Sequence, residues 1–210
     1  DGTVSAVTPD FLGGDFNPFM YTDLAFSGGA VYMAASGNLD QYDIATDTAT
    51  NLSTALTGFS VECGIAVVGN LLYITSGNDP TDTMDTYDLT TNTLATVNSA
   101  LPDESSSLEY DPIANKLYFA SIADGSYYQY DPSDNTYSKN ATETQSDYCN
   151  FVVDPSGQYL YVRTSSGVDQ ITIADGTITP FAANVPGGPS GSDVTFGPSS
   201  SGSCWSLYIA

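Results

Sequence analysis

Short apolar runs recur along the chain at nearly regular distances, and polar turn residues separate them. A tyrosine flanked by apolar residues occurs five times, at intervals of 41, 45, 43 and 47 residues, and these positions are Tyr32, Tyr73, Tyr118, Tyr161 and Tyr208. Runs of this length, rich in β-branched and aromatic residues and bounded by Gly, Asn, Asp and Pro, predict β-strands. The pattern therefore predicts an all-β chain built from repeated units.

Each unit contains four predicted strands, which we name a to d in chain order. A run of small and apolar residues forms strand a, the tyrosine lies on strand b, and two further runs form strands c and d. The c–d connections carry pairs such as Thr91-Asn92 and Asp175-Gly176, which favour tight hairpin turns. Four strands in about 42 residues are typical of a β-propeller blade.

Strand b is apolar on both of its faces. In residues 70–76 the side chains of Leu72 and Ile74 share one face, and Tyr73 lies on the other. A half-exposed strand would alternate apolar with polar residues, so this strand is predicted to be buried on both sides, between neighbouring blades.

The last unit stops after strand b, and the N-terminus supplies candidates for its missing strands. Asp1-Gly2-Thr3 aligns with Asp124-Gly125-Ser126, which opens strand c of another unit. We therefore expect a single five-bladed β-propeller domain over residues 1–210, its last blade closed by N-terminal strands c and d pairing with C-terminal strands a and b. The predicted blades are residues 20–53, 61–98, 106–140, 147–182 and 192–210 with 1–13.

The same pairing between two molecules is an alternative. An N-terminal strand could complete the last blade of a neighbour, which would give a filament by strand donation. Closure within one chain needs no partner and removes open sheet edges, so it is favoured.

Two stretches resemble the YVTN-type β-propeller repeat, which is similar in style to NHL and kelch repeats. They are DPSGQYLYV at residues 154–162 and TYDLTTNTLATV at residues 86–97. The resemblance implies a propeller fold and a secreted or cell-surface protein. It supplies no catalytic residues, because a repeat pattern determines a scaffold more than a site.

Charge narrows the classes of partner. The formal net charge is −22, with Lys116, Lys139 and Arg163 as the only basic residues. Nucleic acid and anionic lipid bind clustered basic residues, so neither is an expected partner. No apolar run approaches membrane-spanning length, so membrane insertion is not expected either. The chain opens on Asp1, and we expect a processed or excised part of an extracellular or cell-surface protein.

The candidate ligand-binding residues lie on one side of the predicted propeller. The long d–a and b–c connections share this side, and loops on a rigid scaffold often carry function. We expect a ligand site for a glycan or a protein here, formed by carboxylates and aromatic rings: Asp15, Phe16, Phe19, Tyr21, Asp23, Phe59, Glu62, Asp147, Tyr148 and Asp193. The stretch NDPTDTMD adds a candidate calcium site at Asp79, Asp82 and Asp85, although it lacks the Gly and Glu of an EF-hand loop.

The three cysteines do not predict a disulfide framework. Cys63 and Cys149 occupy equivalent positions before strand a in two non-adjacent blades, and a bond between them would have to cross the channel. Cys204 is expected to behave as a small buried apolar residue. Asn51-Leu52-Ser53 and Asn140-Ala141-Thr142 are glycosylation sequons compatible with secretion.

The chain has no histidine, which excludes the usual Ser-His-Asp and Cys-His nucleophile systems and His-ligated metals. We therefore expect a secreted or cell-surface, non-enzymatic binding or structural module in an extracellular assembly, with self-association into a filament or layer as one form of it. The alternative is a glycoside hydrolase or lyase that uses carboxylates such as Glu62, Asp23, Asp147 or Asp193.

Overall fold

A computed structural model describes residues 23–35, 38–53, 64–76, 82–102, 105–142, 151–164, 167–183, 185, 194–199 and 205–209. Within these ranges the chain forms eighteen β-strands. No helix of the described ranges is long and apolar enough to cross a membrane. The expectation of an all-β protein is confirmed.

The strands form four four-stranded sheets and one two-stranded sheet, each an antiparallel meander in chain order. The first sheet contains β1 (Asp23–Ser27), β2 (Ala30–Ala35), β3 (Asn38–Asp43) and β4 (Thr48–Ser53). The second contains β5 (Ile65–Val68), β6 (Leu71–Ser76), β7 (Asp82–Asp88) and β8 (Thr93–Leu101). The third contains β9 (Ser105–Asp111), β10 (Lys116–Ser121), β11 (Ser126–Asp131) and β12 (Thr136–Thr142).

The fourth sheet contains β13 (Phe151–Val153), β14 (Tyr159–Thr164), β15 (Gly167–Thr172) and β16 (Ile178–Ala183). The fifth pairs β17 (Val194–Pro198) with β18 (Trp205–Ile209). Residues 1–13, which the sequence predicts as the remaining strands of this sheet, lie outside the described residues.

The first strands of successive sheets contact one another, in the series β1, β5, β9, β13 and β17. This is the arrangement of blades whose inner strands meet near a common axis. The approach is close, because a Cβ added to Gly64 would lie 2.4 Å from the carbonyl carbon of Ser107 on the next sheet. Among the described residues no contact of comparable extent joins β17 to β1.

The apolar core lies between the sheets. We call the face that each sheet turns toward the preceding sheet its front face, and the opposite one its back face. Leu72 and Ile74 pack from the front face of the second sheet against Tyr32 on the back face of the first. Tyr73 packs from the back face against the third sheet, with its ring 6.2 Å from that of Tyr130. Strand b of the second sheet is thus buried on both faces, as its sequence predicts.

The turns between the third and fourth strands share one backbone geometry. Counted from the last residue of the third strand, the fifth residue of each turn has a positive φ. These residues are Asp47, Asn92, Asn135 and Gly176. Asp, Asn and Gly tolerate this conformation best, which explains the residue types that the sequence uses there.

A tyrosine hydroxyl ties three of these turns to the strand that precedes them. The donors and acceptors are Tyr42 and Asp47, Tyr87 and Asn92, and Tyr130 and Asn135. In the fourth sheet both partners of this hydrogen bond differ: Ile171 stands in place of the tyrosine, and Gly176 has no side-chain acceptor. This turn therefore keeps the same backbone geometry without the side-chain hydrogen bond.

Candidate functional site

The predicted ligand side corresponds to one edge of the sheets, which we call the loop edge. The first and third strands of each four-stranded sheet begin there, and the second and fourth strands end there. The structure describes Asp23, Asp82 and Asp85 among the predicted site residues. The others lie outside the described residues: Asp15, Phe16, Phe19, Tyr21, Phe59, Glu62, Asp79, Asp147, Tyr148 and Asp193.

Asp23 opens β1 and joins the first strands of three sheets. Its Oδ2 accepts hydrogen bonds from the backbone N–H groups of Ile65 on β5 and Leu108 on β9, each 3.2 Å long. Its Oδ1 accepts the N–H of Leu24 at 2.8 Å. One carboxylate can reach both strands only where the inner strands converge. Asp23 therefore holds the first strands of three sheets together near the axis, and we call this role a clasp.

Asp82 opens β7 and is fully buried. Its Oδ2 accepts the backbone N–H of Ser105, the first residue of β9. The Ser105 hydroxyl in turn donates to the carbonyl oxygen of Pro102 at 2.6 Å. Asp82 therefore fixes the point at which the chain enters the third sheet.

Asp85 lies three residues farther along β7, and its carboxylate has different partners. Thr83 donates to Oδ2 at 2.9 Å, and Thr96 on the adjacent β8 donates to Oδ1. Among the described residues no group of three His, Cys, Asp or Glu side chains is placed to hold a metal ion. The calcium site, whose third candidate Asp79 is not described, stays a prediction.

Arg163 places a buried positive charge at the end of β14, beside the loop edge. Its Nη1 donates to the carbonyl oxygens of Thr164 and Gly167 at 3.0 and 2.7 Å, and its Nη2 to that of Val185 at 3.5 Å. Carbonyl oxygens thus solvate the cation. The sequence shows a single arginine in a chain of net charge −22, but it does not show that this arginine is buried.

Sequence reasoning missed a mixed cluster at the loop edge of the third sheet. The carboxylate of Asp124 accepts hydrogen bonds from Lys139 at 2.9 Å and from the Tyr128 hydroxyl at 2.7 Å. The Lys139 ammonium lies 5.6 Å from the centre of the Tyr128 ring. Tyr128 and Lys139 stand directly opposite each other on β11 and β12, so correct strand register would have revealed the pair.

The cluster is reflected in the protonation equilibria of its members. The hydrogen bond with Asp124 raises the pKa of Lys139, and burial followed by the same carboxylate raises the pKa of Tyr128. Burial alone would raise the pKa of Asp124, but its hydrogen bonds outweigh burial and lower it. All three groups therefore keep their ordinary charges at neutral pH, and none is prepared for proton transfer.

The two sequons differ in exposure. Asn51 lies on the outermost strand of the first sheet and is exposed. Asn140 is half-buried, and its Nδ2 donates to the carbonyl oxygen of Ile173 at 2.7 Å. Attachment of a sugar at Nδ2 of Asn140 would replace a contact between the third and fourth sheets.

No family model and no curated protein matches this sequence. The structure resembles a nidogen/laminin complex chain with a TM-score of 0.63, at 15% identity over 75% of this chain and 61% of that chain. It resembles an auxiliary nutrient binding protein from Bacteroides ovatus with a TM-score of 0.68, at 11% identity over 86% and 49%. TolB from Acinetobacter baumannii gives 0.57, at 14% identity over 84% and 45%.

This chain spans about half to three fifths of the length of the solved structures it resembles. At these identities the likeness concerns the fold and not the ligand. Together with the antiparallel four-stranded sheets and the meeting of their first strands, it shows that the chain has a β-propeller-like repeat fold.

Proposed function

We propose that the chain is a secreted or cell-surface, non-enzymatic β-propeller that acts as a binding module in an extracellular assembly. Its ligand is a glycan or a protein, bound at the loop edge. The proposal includes five blades and a last blade completed by residues 1–13, as the repeat spacing predicts.

One observation carries the non-enzymatic part of the proposal. The described carboxylates that sequence analysis offered as ligands or catalysts all accept hydrogen bonds that hold strands together. Asp23 binds two backbone N–H groups of neighbouring sheets, and Asp82 binds one. A general acid or nucleophile must be able to change its charge or position during a reaction, which such a clasp opposes.

The binding part of the proposal is supported by the arrangement of the chain. Most of the long connections leave the sheets at the loop edge, above a scaffold whose sheets are packed on both faces. Two chains of similar fold carry printed names that concern binding, the auxiliary nutrient binding proteins of Bacteroides ovatus and Bacteroides thetaiotaomicron. From these names we propose for this chain only that it binds a ligand, and not that the ligand is a nutrient.

A binding screen with a hydrolysis control tests the proposal. The full chain is applied to a glycan array and to a panel of extracellular proteins, and each polysaccharide is also incubated with it and assayed for new reducing ends. We expect saturable binding to at least one ligand without turnover. Turnover that Glu62→Gln abolishes would replace the proposal by a glycoside hydrolase.

Calcium belongs to the proposal as a structural ion held by Asp79, Asp82 and Asp85. A rise in melting temperature on adding calcium to the metal-free chain supports the ion. The rise must vanish in Asp79→Asn and persist in a control variant, Asp175→Asn, at an exposed turn.

A further inference from the structure

One position on the third strand of each four-stranded sheet carries a different residue type in the third sheet. In the first, second and fourth sheets the position is an aspartate that faces the fourth strand, and these pairs are Asp40 with Asn51, Asp85 with Thr96 and Asp169 with Pro180. In the third sheet the pair is Tyr128 with Lys139. The register of the two strands shifts immediately before this position in all four sheets, which makes the four positions equivalent.

In the first two sheets the aspartate at this position has a structural use. Asp40 accepts a side-chain hydrogen bond from Asn51, and Asp85 accepts one from the Thr96 hydroxyl. Each carboxylate thus joins the third strand of its sheet to the fourth. The third sheet has a tyrosine and a lysine in place of such a bond.

The carboxylate of the third sheet lies nearer the loop edge, in the turn between β10 and β11. Asp124 accepts hydrogen bonds from the Tyr128 hydroxyl at 2.7 Å, from Lys139 at 2.9 Å and from the N–H of Ser126 at 3.1 Å. The side chains of Lys139 and Asp124 are 48% and 41% exposed, so both are accessible to a ligand. An ion pair this exposed adds little to stability, so stability does not explain it.

The aromatic rings beneath the ion pair hold it in one place. The Tyr128 ring stacks on Phe119 with 5.1 Å between the ring centres, and it meets the ring of Tyr137 edge to face at 5.8 Å. The Tyr137 hydroxyl donates to the carbonyl oxygen of Ala100 on the second sheet at 2.8 Å. Tyr137 lies two residues before Lys139 on the same face of β12 and is 37% exposed. Groups that are held before a ligand arrives lose little freedom when it binds.

We propose that Asp124 and Lys139 bind two adjacent hydroxyl groups of a neutral glycan, which packs against Tyr137. This inference rests on the binding function proposed above, and it selects a glycan as the ligand. A hydroxyl group both donates and accepts hydrogen bonds, whereas an ammonium group only donates and a carboxylate only accepts. Lys139 therefore donates to one hydroxyl, and Asp124 accepts from its neighbour on the sugar ring.

Charge and size favour a neutral glycan over an acidic ligand or a protein. Lys139 is the most exposed of the three basic residues, because Arg163 is buried and Lys116 is paired with Asp131 at the opposite edge of the sheet. One exposed cation does not offset the repulsion between an acidic ligand and a chain of net charge −22. A donor and an acceptor beside one ring match a sugar residue in size, whereas a stable protein interface covers about 800 Å² on each partner.

Titration of variants with a glycan tests the site. The full chain is applied to an array of neutral and acidic glycans, and the best-bound neutral glycan is then titrated by calorimetry at pH 7. Lys139→Met and Asp124→Asn should each weaken its binding at least about tenfold, because each removes a charge-assisted hydrogen bond. Lys116→Met is the matched control, since it breaks the ion pair with Asp131 at the opposite edge, and it should leave binding unchanged. Melting curves verify that all three variants are folded.

Deoxy analogues of the same glycan identify the contact. Removing the hydroxyl that Lys139 binds should weaken binding to the parent chain about tenfold and binding to Lys139→Met hardly at all, because two changes at one contact are not additive. Additive losses for every analogue would show that Lys139 does not touch the glycan and would refute the site.

Failure of this inference and failure of the proposed function give different results. Glycan binding that Lys139→Met and Asp124→Asn leave unchanged refutes the site and retains the proposed function. Binding confined to acidic glycans, or to a protein, refutes the neutral glycan and also retains the proposed function. A chain that binds no glycan and no protein refutes both.

Discussion

Replacing Asp23 by alanine distinguishes a clasp from a ligand-binding residue. In the folded protein Ile65 and Leu108 are buried and donate their backbone N–H groups to Asp23 Oδ2. Asp23→Ala removes the acceptor and leaves both donors without it. Each buried donor left unpaired costs about 1 to 3 kcal/mol. The 3.2 Å distances are at the long end of the usual range, which favours the lower part of that estimate.

We therefore expect Asp23→Ala to lower the free energy of unfolding by about 2 to 3 kcal/mol. With a urea dependence of about 2 kcal/mol per molar, the midpoint falls by roughly 1 to 1.5 M. Asp23→Asn retains one acceptor oxygen and should lose about half as much. The measurement is urea unfolding at pH 7, followed by circular dichroism and by the fluorescence of Trp205.

Asp175→Ala is the control, because its carboxylate makes only local hydrogen bonds among the contacts described, to Thr177 and to its own backbone, in an exposed turn where water can replace them. It should change stability by less than about 0.5 kcal/mol. In a chain of net charge −22, removing a carboxylate that only awaits a ligand relieves repulsion and stabilises. An Asp23→Ala variant as stable as the parent, or more stable, would refute the clasp.

Three further predictions use the same unfolding assay. Gly64→Ala should lower the free energy of unfolding by at least about 2 kcal/mol, because its Cβ would meet the backbone of the next sheet. Gly69→Ala is the control: its Cβ would meet open space, so the variant should lose only about 1 kcal/mol, from the positive φ. Asn135→Gly keeps the turn geometry and should isolate the loss of the tyrosine hydrogen bond, about 1 kcal/mol. The hydrogen bond from Lys116 lowers the pKa of Asp131 to about 2. The contribution of ionised Asp131 to stability should therefore be present above about pH 4 and disappear as the pH falls toward 2. Asp131→Asn should reduce this decline in stability.

The four-stranded units could be predicted because local signals repeat. Tyr73 with Leu72 and Ile74 marks a strand buried on both sides, and Asn92 and Gly176 mark turns that need a positive φ. These signals depend on a few neighbouring residues, so a single sequence contains them. Their recurrence at intervals of 41 to 47 residues then identifies the unit.

The role of Asp23 could not be predicted in the same way. Its partners Ile65 and Leu108 are 42 and 85 residues away, and they meet only because successive sheets curve about one axis. The sequence shows an aspartate before a strand on the ligand side, which also fits a binding residue. The pairing of Asp124 with Lys139 was missed for a related reason, since Asp124 lies in the turn between β10 and β11 and meets Lys139 of β12 only through the pairing of β11 with β12.

The internal repeat also indicates which part of the chain would carry the binding function proposed above. Positions that recur between units have a structural use: the strand b tyrosine packs between sheets, and the residue with positive φ shapes the c–d turn. Where one member of such a pair changes, its partner changes too, as Ile171 and Gly176 do. A ligand common to all five units would leave a recurring polar position at the loop edge, yet the residues before the first strands of the first three sheets are Thr22, Gly64 and Glu104. The binding function proposed above therefore requires features in which the units differ, and we expect a ligand to be bound by connections of particular blades. Exchanging one d–a connection for that of another unit should leave the melting temperature nearly unchanged and abolish binding only at the blades that contact the ligand.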